Sequence, residues 1–435
     1  MDAIAYGRAF IGTSLAFHIA IALFGVGVPL LISLAELIGI TKKDRDFSKM
    51  ARRWTFAMTT LFAAGAISGT VVAVAFMVLL APFMAIAGKT IILPFFLETF
   101  AFFIEAAFLG IYVFSWDRLK PWIHWLTSLP IVIASAASAF LITTMSAFMS
   151  APQGFTMAGG LVTSADQWTA MWNAAVPTRT GHSILSYYAT TAFVFAAMAA
   201  LALLREKTRE RGTASYHKRM LSFTLLLGLL FSLGVVATGD QAARFIARYE
   251  PQKFAAAEGI LETQSHAPLA LGGWFDDQRV LHGALVIPDA LSLLIGGAAN
   301  TVVAGLKAFD PATWPPAIIH YFFDLMALIG GLLLATPILY FAATRWRPRL
   351  AHERPMLWLV IATGIASLLA VELGWMLTEI GRQPWTIRGV LLTSNAFTPS
   401  PSTALYALAF PVFYVALAGV TLWVLIAHYR HHHDD

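Results

Sequence analysis

The chain has 435 residues, of which 58% are hydrophobic and only 12% are charged, and its mean hydropathy is +0.70. A soluble domain of this length could not bury so many apolar side chains in one core, so the composition indicates a multi-pass membrane protein. The net charge of +5 lies mostly in short loops, which favours membrane orientation over nucleic-acid binding as its explanation. The absence of cysteine excludes disulfides, iron–sulfur clusters and covalently attached c-type haem.

Nine apolar segments are each long enough to cross about 30 Å of hydrocarbon as a helix. In chain order they span roughly 10–39, 55–87, 91–115, 123–150, 183–204, 220–238, 317–343, 356–380 and 404–428. The sequence therefore predicts an all-α fold, a bundle of nine transmembrane helices in a single membrane domain, 1–435. The first segment is too long for a signal peptide and is expected to stay in the membrane.

Lysine and arginine cluster in the short loops after the first, third, fifth and seventh segments, at 42–53, 118–120, 205–219 and 345–354. Basic loops stay on the cytoplasmic side, so the N-terminus is predicted to be extracytoplasmic and the C-terminus cytoplasmic. The loops 151–181, 239–316 and 381–403 then lie outside. The longest of them, 239–316, has the length of a functional loop.

Five side chains with metal-ligating atoms lie in the outer third of five different predicted helices: His18, Glu98, His182, Met326 and Glu379. An ionisable group inside a bilayer is costly, so a functional site is its first interpretation. Each residue alone also has a plainer explanation, since a single His can hydrogen-bond within a core and a single Met can simply pack. Their shared depth indicates cofactors or an ion pathway near the outer surface and leaves both open.

Intramembrane carboxylates also recur at a fixed spacing. Glu98 and Glu105 are seven residues apart, as are Glu372 and Glu379. Seven residues are nearly two helical turns, so each pair lies on one face, about 10 Å apart in depth. Such ladders are typical of proton relays, although Glu105 and Glu372 could also hydrogen-bond neighbouring helices.

The segment from Gly374 to Trp385 reads GWMLTEIGRQPW. It is similar to GWxxxExGRQPW, the signature of subunit I of cytochrome bd-type quinol oxidases. Other stretches resemble the family in order and spacing: AFHIAIALFGVGVPLL around His18, FFIEAAFLGIYVFSWDRL at 102–119, GHSILSYY at 181–188, GDQ at 239–241 and PQKFAAAEG at 251–259. The resemblance covers nearly the whole chain and is to a divergent, short-loop member.

The resemblance implies three haems near the outer face. His182 and Met326 would be the axial ligands of a low-spin haem b, because a His/Met pair raises the reduction potential and leaves no open position. His18 would bind a high-spin haem b of the active-site pair. Glu379, with Glu98 nearby, would bind its other member, a haem d or a further haem b.

The resemblance also assigns roles around these haems. Arg382 would pair with haem propionates, and Trp375 would pack between the macrocycles. Within the extracytoplasmic loop 239–316, the quinol-binding loop, Lys253 and Glu258 stand at the matching positions, although such residues in a polar loop are more often solvated.

The proton route of the family also has matching residues. Glu105 and Asp117 lie twelve apart on one predicted helix and would belong to the route that brings protons from the cytoplasm.

The function implied is that of a terminal oxidase in the prokaryotic cytoplasmic (inner) membrane. Quinol would be oxidised at the outer side and O2 reduced to water with cytoplasmic protons, which generates a proton gradient without pumping. The implied partners are a homologous multi-helix subunit II and small single-helix subunits. Two alternatives stay open: a related haem reductase with another donor or acceptor, such as a periplasmic cytochrome or NO, and a non-catalytic transport or assembly subunit.

The chain departs from the family pattern beside two of the predicted ligands, and also at Ala73, where the family often has an acid. Glu98 follows the position at which the family glutamate is expected, Leu97, and one residue turns a side chain by about 100° around a helix. Asp324 stands where an Arg is common, two residues before Met326. His320 is the rival haem ligand on that helix, but six residues separate it from Met326, so the two face different sides.

Overall fold

The structure, a computed structural model, describes residues 3–205, 211–398 and 402–431. The helices of these ranges are α1 (Ala3–Lys42), α2 (Arg45–Leu79), α3 (Ala81–Thr90), α4 (Ile92–Ser115), α5 (Pro121–Ser150), α6 (Gln167–Met171), α7 (Val176–Arg205), α8 (Arg211–Tyr249), α9 (Pro251–Glu258), α10 (Ala290–Gly296), α11 (Ile318–Trp346), α12 (Arg354–Ile380) and α13 (Thr403–His431). Nine helices within them are long and apolar enough to cross a membrane, namely all except α3, α6, α9 and α10. The prediction of nine membrane helices is confirmed.

Short strands occur in three loops. They are β1 (Phe155–Ala158), β2 (Leu161–Ala165), β3 (Leu269–Leu271), β4 (Trp274–Phe275), β5 (Leu281–His282), β6 (Leu285–Ile287), β7 (Trp385–Ile387) and β8 (Leu391–Leu392). They form four two-stranded antiparallel sheets, β1–β2, β3–β6, β4–β5 and β7–β8. All three loops connect the ends of helices that the loop charges predict to be extracytoplasmic, and this end is called the outer end below.

Several helix boundaries differ from those predicted. The second segment breaks at Leu80, because Pro82 has no N–H to continue the hydrogen bonding of α2, its ring crowds the preceding turn, and it suits the first turn of a new helix, α3. Helix α8 continues to Tyr249, so the first part of the predicted loop 239–316 is helical. Helix α7 begins at Val176, which places His182 nearly two turns inside it rather than at its start.

One boundary changes a predicted site residue. Helix α4 ends at Ser115, and Asp117 lies in the turn that follows. The prediction that Glu105 and Asp117 share one helix is therefore wrong. The chain must leave the helix here, because Pro121 opens α5 and keeps Lys120 in an extended conformation.

Helix α7 packs against α1, α5, α8 and α12 and is the most buried of the nine membrane helices described. Glycines allow two of these approaches. A Cβ on Gly27 of α1 would lie 2.0 Å from Thr191 Oγ1, and a Cβ on Gly364 of α12 would lie 2.6 Å from the Cβ of Ala197. Small residues at such crossings bring helix backbones together where lipid gives no hydrophobic drive.

The short helix α9 holds the start of the longest outer loop against the bundle. Pro251 lies in its first turn, and Gly259 ends it in the left-handed conformation that favours glycine. The alanines 255–257 are fully buried and belong to one apolar cluster with Ile319 of α11 and Leu377 of α12. Helix α9 is therefore docked on the outer ends of α11 and α12.

Candidate functional site

The carboxylate of Glu379 lies in the last turn of α12 and faces α5. It forms an ion pair with Arg382, and Ser146 Oγ of α5 donates to its Oε1 at 3.2 Å. Arg382 also donates to the backbone carbonyl of Ser146 at 3.3 Å. Within the described residues, therefore, the direct partners of Glu379 are a cation from its own helix end and one hydroxyl.

Arg382 retains one unused donor. Its Nε is buried and has no hydrogen-bond partner in the part of the chain that the structure describes. A buried unpaired donor is costly, and an anionic group at this position would satisfy it. This fits the predicted role of Arg382 towards a haem carboxylate.

A second buried charge cluster, which was not predicted from the sequence, adjoins this site. Arg179 of α7 donates to the carbonyl of Ser146 at 2.7 Å and to Ser150 Oγ at 2.9 Å, and its other nitrogen lies 3.5 Å from Glu250 Oε1. Glu250 Oε2 in turn lies 3.4 Å from Lys253 Nζ. The only sequence signal was position, since Arg179 precedes His182 by three residues and Glu250 precedes the PQKF motif.

The charges of this cluster are tuned by burial and by each other. Burial opposes the ionised form of Glu250, but the surrounding cations outweigh it and lower the pKa of this carboxyl. Burial lowers the pKa of the Lys253 amine to about 8, although Glu250 works against this shift. Lys253 also donates to the carbonyl of Thr378 at 3.4 Å, so α9 is tied directly to the signature segment.

Glu258 closes α9 and is only 4% exposed, and Lys253 is 3% exposed. The interpretation of both as solvated loop residues is therefore wrong, because α9 packs into the bundle. Burial, with the negative charge of Asp324 added, raises the pKa of the Glu258 carboxyl to about 8. The carboxyl therefore becomes a proton acceptor only as the pH approaches this value.

A cavity of about 320 Å³ opens beside this helix. Its walls are Arg244 and Arg248 of α8, Phe254 of α9, and Ile295, Val302 and Val303 of the outer loop. The lining combines apolar side chains with two arginines, and neither Lys253 nor Glu258 belongs to it.

His18 and His182 share one hydrogen-bonding state. His18 Nδ1 contacts Ser68 Oγ at 3.0 Å, and that hydroxyl donates its hydrogen to Ala64 O at 2.9 Å. His182 Nδ1 contacts Thr238 Oγ1 at 3.2 Å, and that hydroxyl donates to Gly234 O at 2.7 Å. A hydroxyl has only one hydrogen, so each Nδ1 must donate, and in the neutral ring each Nε2 then carries a lone pair. No described residue hydrogen-bonds either Nε2, which is the state of a metal-ligating imidazole.

A glycine on the neighbouring helix faces each of three predicted ligands. A Cβ on Gly69 would lie 3.0 Å from His18 Cε1, a Cβ on Gly239 would lie 3.4 Å from His182 Cε1, and a Cβ on Gly374 would lie 3.0 Å from Met326 Sδ. The missing Cβ atoms leave room beside these side chains. Trp375 follows Gly374 on α12 and is partly buried.

The described residues contain no cluster of three or more His, Cys, Asp or Glu side chains that could hold a bare metal ion. A haem iron does not need one, because the porphyrin supplies four nitrogens and the protein only one or two axial atoms. Single imidazoles and a thioether on separate helices therefore fit haem and do not fit a protein-only metal site.

His320 is an anchor for the outer loop. Its Nδ1 lies 2.8 Å from Ala257 O and its Nε2 lies 3.0 Å from Gly272 O. A backbone carbonyl therefore lies against each ring nitrogen, which leaves no open position for iron beside either. Asp324, one turn further along α11, accepts from the Gly272 amide at 2.5 Å and lies 3.4 Å from His320. Asp324 thus helps to hold the outer loop on α11.

The remaining predicted carboxylates lie apart. Glu98 accepts from Ser138 Oγ of α5 at 2.8 Å, and Ser138 lies about 12 Å along α5 from Ser146, the partner of Glu379. Glu105 is buried on α4. The carboxylate of Asp117 is 71% exposed and pairs with Arg52 at 2.7 Å, so it lies at the surface of the inner end, opposite the outer end.

Comparison with known proteins gives one answer. A sequence profile of the family described as cytochrome bd terminal oxidase subunit I matches residues 6–433. The putative cytochrome bd menaquinol oxidase subunit I of Bacillus subtilis (strain 168) is 38% identical, with 100% of this chain and 98% of that protein covered. The cytochrome bd ubiquinol oxidase subunit 1 of the same organism is 27% identical, with 98% and 94% covered. The structure of bd oxidase from Geobacillus thermodenitrificans matches with a TM-score of 0.94 and 38% identity, covering 99% of both chains.

The bundle, with nine helices among the described residues that are long and apolar enough to cross a membrane, defines a multi-pass membrane protein. The chain belongs to the cytochrome bd terminal oxidase subunit I family. The predictions of this family, of an all-helical nine-span fold and of an oxidoreductase are confirmed. Membership also makes it a membrane protein of a bacterial respiratory oxidase and implies haem cofactors.

Proposed function

We propose that this chain is the haem-carrying subunit of a quinol:O2 oxidoreductase in the bacterial inner membrane. The observation that supports this most is the matched state of His18 and His182, each with Nδ1 donating to a hydroxyl and Nε2 free. In a core that needed only satisfied polar groups, both ring nitrogens would be hydrogen-bonded, as they are in His320.

Haem, when bound, supplies one-electron carriers and an iron that binds O2. His182 and Met326 would hold a low-spin haem b, and His18 a high-spin haem b. Glu379 would hold the third, a haem d or a further haem b, with Glu98 beside this set. Because Glu379 forms its ion pair at the end of a helix, a shift of Arg382 towards a haem carboxylate would free it for iron.

Trp375 would pack against a haem ring. On α12 it directly follows Gly374, which leaves room for the proposed ligand Met326, and it precedes the proposed ligand Glu379 by one turn.

Quinol would be oxidised at the outer end. The Lys253 ammonium would donate a hydrogen bond to a quinol oxygen, and the Glu258 carboxylate would take a proton from a quinol hydroxyl and release it outside.

Protons for water formation would come from the other side of the membrane. Glu105 and Glu98 on α4 would hold protons between the inner end, where Asp117 lies, and the outer end. Charge separation then follows from the positions of the two half-reactions, with the N-terminus outside and the C-terminus in the cytoplasm. A homologous multi-helix subunit II would complete the complex, together with small single-helix subunits.

The test is a spectroscopic and kinetic study of the purified complex. Reduced-minus-oxidised and pyridine haemochrome spectra should show b-type haem, and O2 uptake should follow addition of a short-chain menaquinol or ubiquinol. Reduced periplasmic cytochrome as donor and NO as acceptor are the comparison substrates. A complex without haem would overturn the proposal. A complex with haem that turns over only with cytochrome as donor, or only with NO as acceptor, would show that the donor is not quinol or that the acceptor is not O2.

A further inference from the structure

A buried carboxylate lies at the inner end of the bundle, far from the outer site. Glu36 of α1 is 5% exposed. Its Oε2 accepts from the Tyr112 hydroxyl of α4 at 2.7 Å, and its Oε1 lies 2.6 Å from His124 Nδ1 of α5. His124 Nε2 lies 3.0 Å from the Tyr112 carbonyl oxygen. These three residues are called the inner cluster.

The partners of the inner cluster fix its proton count. A carbonyl oxygen only accepts, so His124 Nε2 carries a hydrogen, and the Tyr112 hydroxyl uses its hydrogen on Oε2. Between Nδ1 and Oε1 there is room for a single further proton. With that proton present, the Glu36–His124 pair has no net charge; without it, a carboxylate faces a neutral imidazole.

The inner cluster is enclosed but close to the surface. Trp116 stands edge-on to the His124 ring, with centroids 4.3 Å apart, and the Arg52 guanidinium lies 5.9 Å from the centroid of the Trp116 ring. Lys42 ends α1 less than two turns beyond Glu36, and Pro121 opens α5 one turn before His124. Trp116 therefore connects the His124 ring to an exposed arginine at the surface of the inner end.

Burying such a pair is a poor way to gain stability. The desolvation of two ionisable groups commonly cancels their attraction, and apolar residues of the same size often serve as well. Helices α1, α4 and α5 already pack through Leu109 and Ile131 in the main apolar core. A mobile proton gives the inner cluster a use that packing does not.

Helix α5 continues the polar path outward. Ser128 Oγ donates to Ser33 Oγ of α1 at 2.8 Å, one turn beyond the inner cluster, and Ser138 and Ser146 donate to Glu98 and Glu379. At about 100° per residue, His124 and the serines 128, 135, 138 and 146 fall within about 80° of one another around α5. The stripe runs about 33 Å from His124 to Ser146, which is the thickness of the hydrocarbon.

We propose that the Glu36–His124 pair is the proton-exchange station at the cytoplasmic end of the path that supplies the O2 site, a role that rests on the proposed oxidase function. In each cycle the pair gives its shared proton inward along α5, which leaves carboxylate and neutral imidazole, and then takes one proton from the cytoplasm. No electron moves and no bond other than N–H or O–H changes. Tyr112 is a positioning residue that keeps the carboxylate oriented.

Two substitutions in the complete complex separate proton transfer from structure. Glu36→Gln keeps a side chain that can hydrogen-bond both neighbours but removes the transferable proton. Tyr112→Phe removes a hydrogen bond and keeps that proton. Asp44→Asn is the matched control, because Asp44 is a partly exposed acid at the same end that pairs with Arg219, and asparagine preserves its capping of α2.

For Glu36→Gln we expect kcat for O2 uptake to fall about tenfold or more, with quinol KM and the haem spectra unchanged. Glu36→Asp should restore part of the rate, and Tyr112→Phe should lose less than about half of it. Equal losses of rate and thermal stability in Glu36→Gln and Tyr112→Phe, or full kcat in Glu36→Gln, would overturn the proposal. An inactive parent complex would instead count against the oxidase function itself.

Discussion

The two ends of the bundle bury charged and ionisable groups in opposite ways. At the inner end, every oxygen and nitrogen of the Glu36 and His124 side chains has a protein partner. At the outer end, Arg382 Nε is buried without a partner among the described residues, and the side-chain hydrogen bonds of His18 and His182 there are made through Nδ1. Since buried polar groups are normally paired, the contrast indicates an outer end suited to added groups and an inner cluster in which the protein supplies every partner.

The outer end also keeps its cations in unusual surroundings. Lys253 and Arg382 are almost fully buried, together with Glu250 and the side chain of Arg179. An isolated buried charge is costly. Here Arg179 and Lys253 share the carboxylate of Glu250, and Arg382 pairs with Glu379, which is itself a predicted haem ligand. Added anionic groups would balance them, which agrees with haem carboxylates at this end.

The largest expected effect breaks the outer end directly. Met326→Leu keeps the volume but removes the thioether, so we expect the low-spin haem signal to be lost while the other haems remain. The matched control is Met198→Leu on an exposed face of α7, which should keep every signal. An unchanged low-spin spectrum in Met326→Leu would remove Met326 from the ligand set.

The next effect concerns the quinol side. Lys253→Gln removes the buried ammonium next to Glu250, and we expect quinol KM to rise about tenfold because one charge-assisted hydrogen bond is lost. Haem content should stay constant. Lys307→Gln, at an exposed ion pair with Glu262 in the same loop, is the control. A parallel loss of haem in Lys253→Gln would mean that α9 is only structural.

A smaller effect, of severalfold, is expected in the pH profile. The pKa of Glu258 is raised to about 8 and that of Lys253 is lowered to about 8. Below that pH Glu258 is protonated and cannot accept a quinol proton, and above it Lys253 loses its charge. We therefore expect kcat/KM for quinol to peak near pH 8 and Glu258→Gln to abolish the acid limb alone. An unaltered acid limb would assign it to another group.

The smallest effect tests the fit beside Met326. Gly374→Ala places a Cβ 3.0 Å from Met326 Sδ, so the sulfur must move by a few tenths of an ångström. We expect a small shift of the low-spin absorption band and less than about a twofold loss of turnover. Gly330→Ala on α11, where a Cβ meets nothing within 4 Å, gains the same helix propensity and should leave the band in place.

The sequence was informative where chemistry is local to one helix. The carboxylate of Glu379 and the guanidinium of Arg382 in the signature form an ion pair in the structure, because the two residues are three positions apart at a helix end. Boundaries were less certain, since apolar runs do not show where a helix continues past the membrane. For this reason α8 reaches Tyr249, and the turn that holds Asp117 was placed within a helix.

By itself, the sequence determined that this is a membrane protein, that it has nine membrane helices and which family it resembles. Hydropathy over about twenty residues and a twelve-residue signature are both properties of consecutive positions. Only the tertiary structure decided which groups meet across helices. Glu36 and His124 are 88 residues apart, and Arg179 and Glu250 are 71 apart. Their contacts depend on the rotation and crossing of packed helices, where one residue of slip turns a side chain by about 100°, so no local pattern could have revealed either cluster.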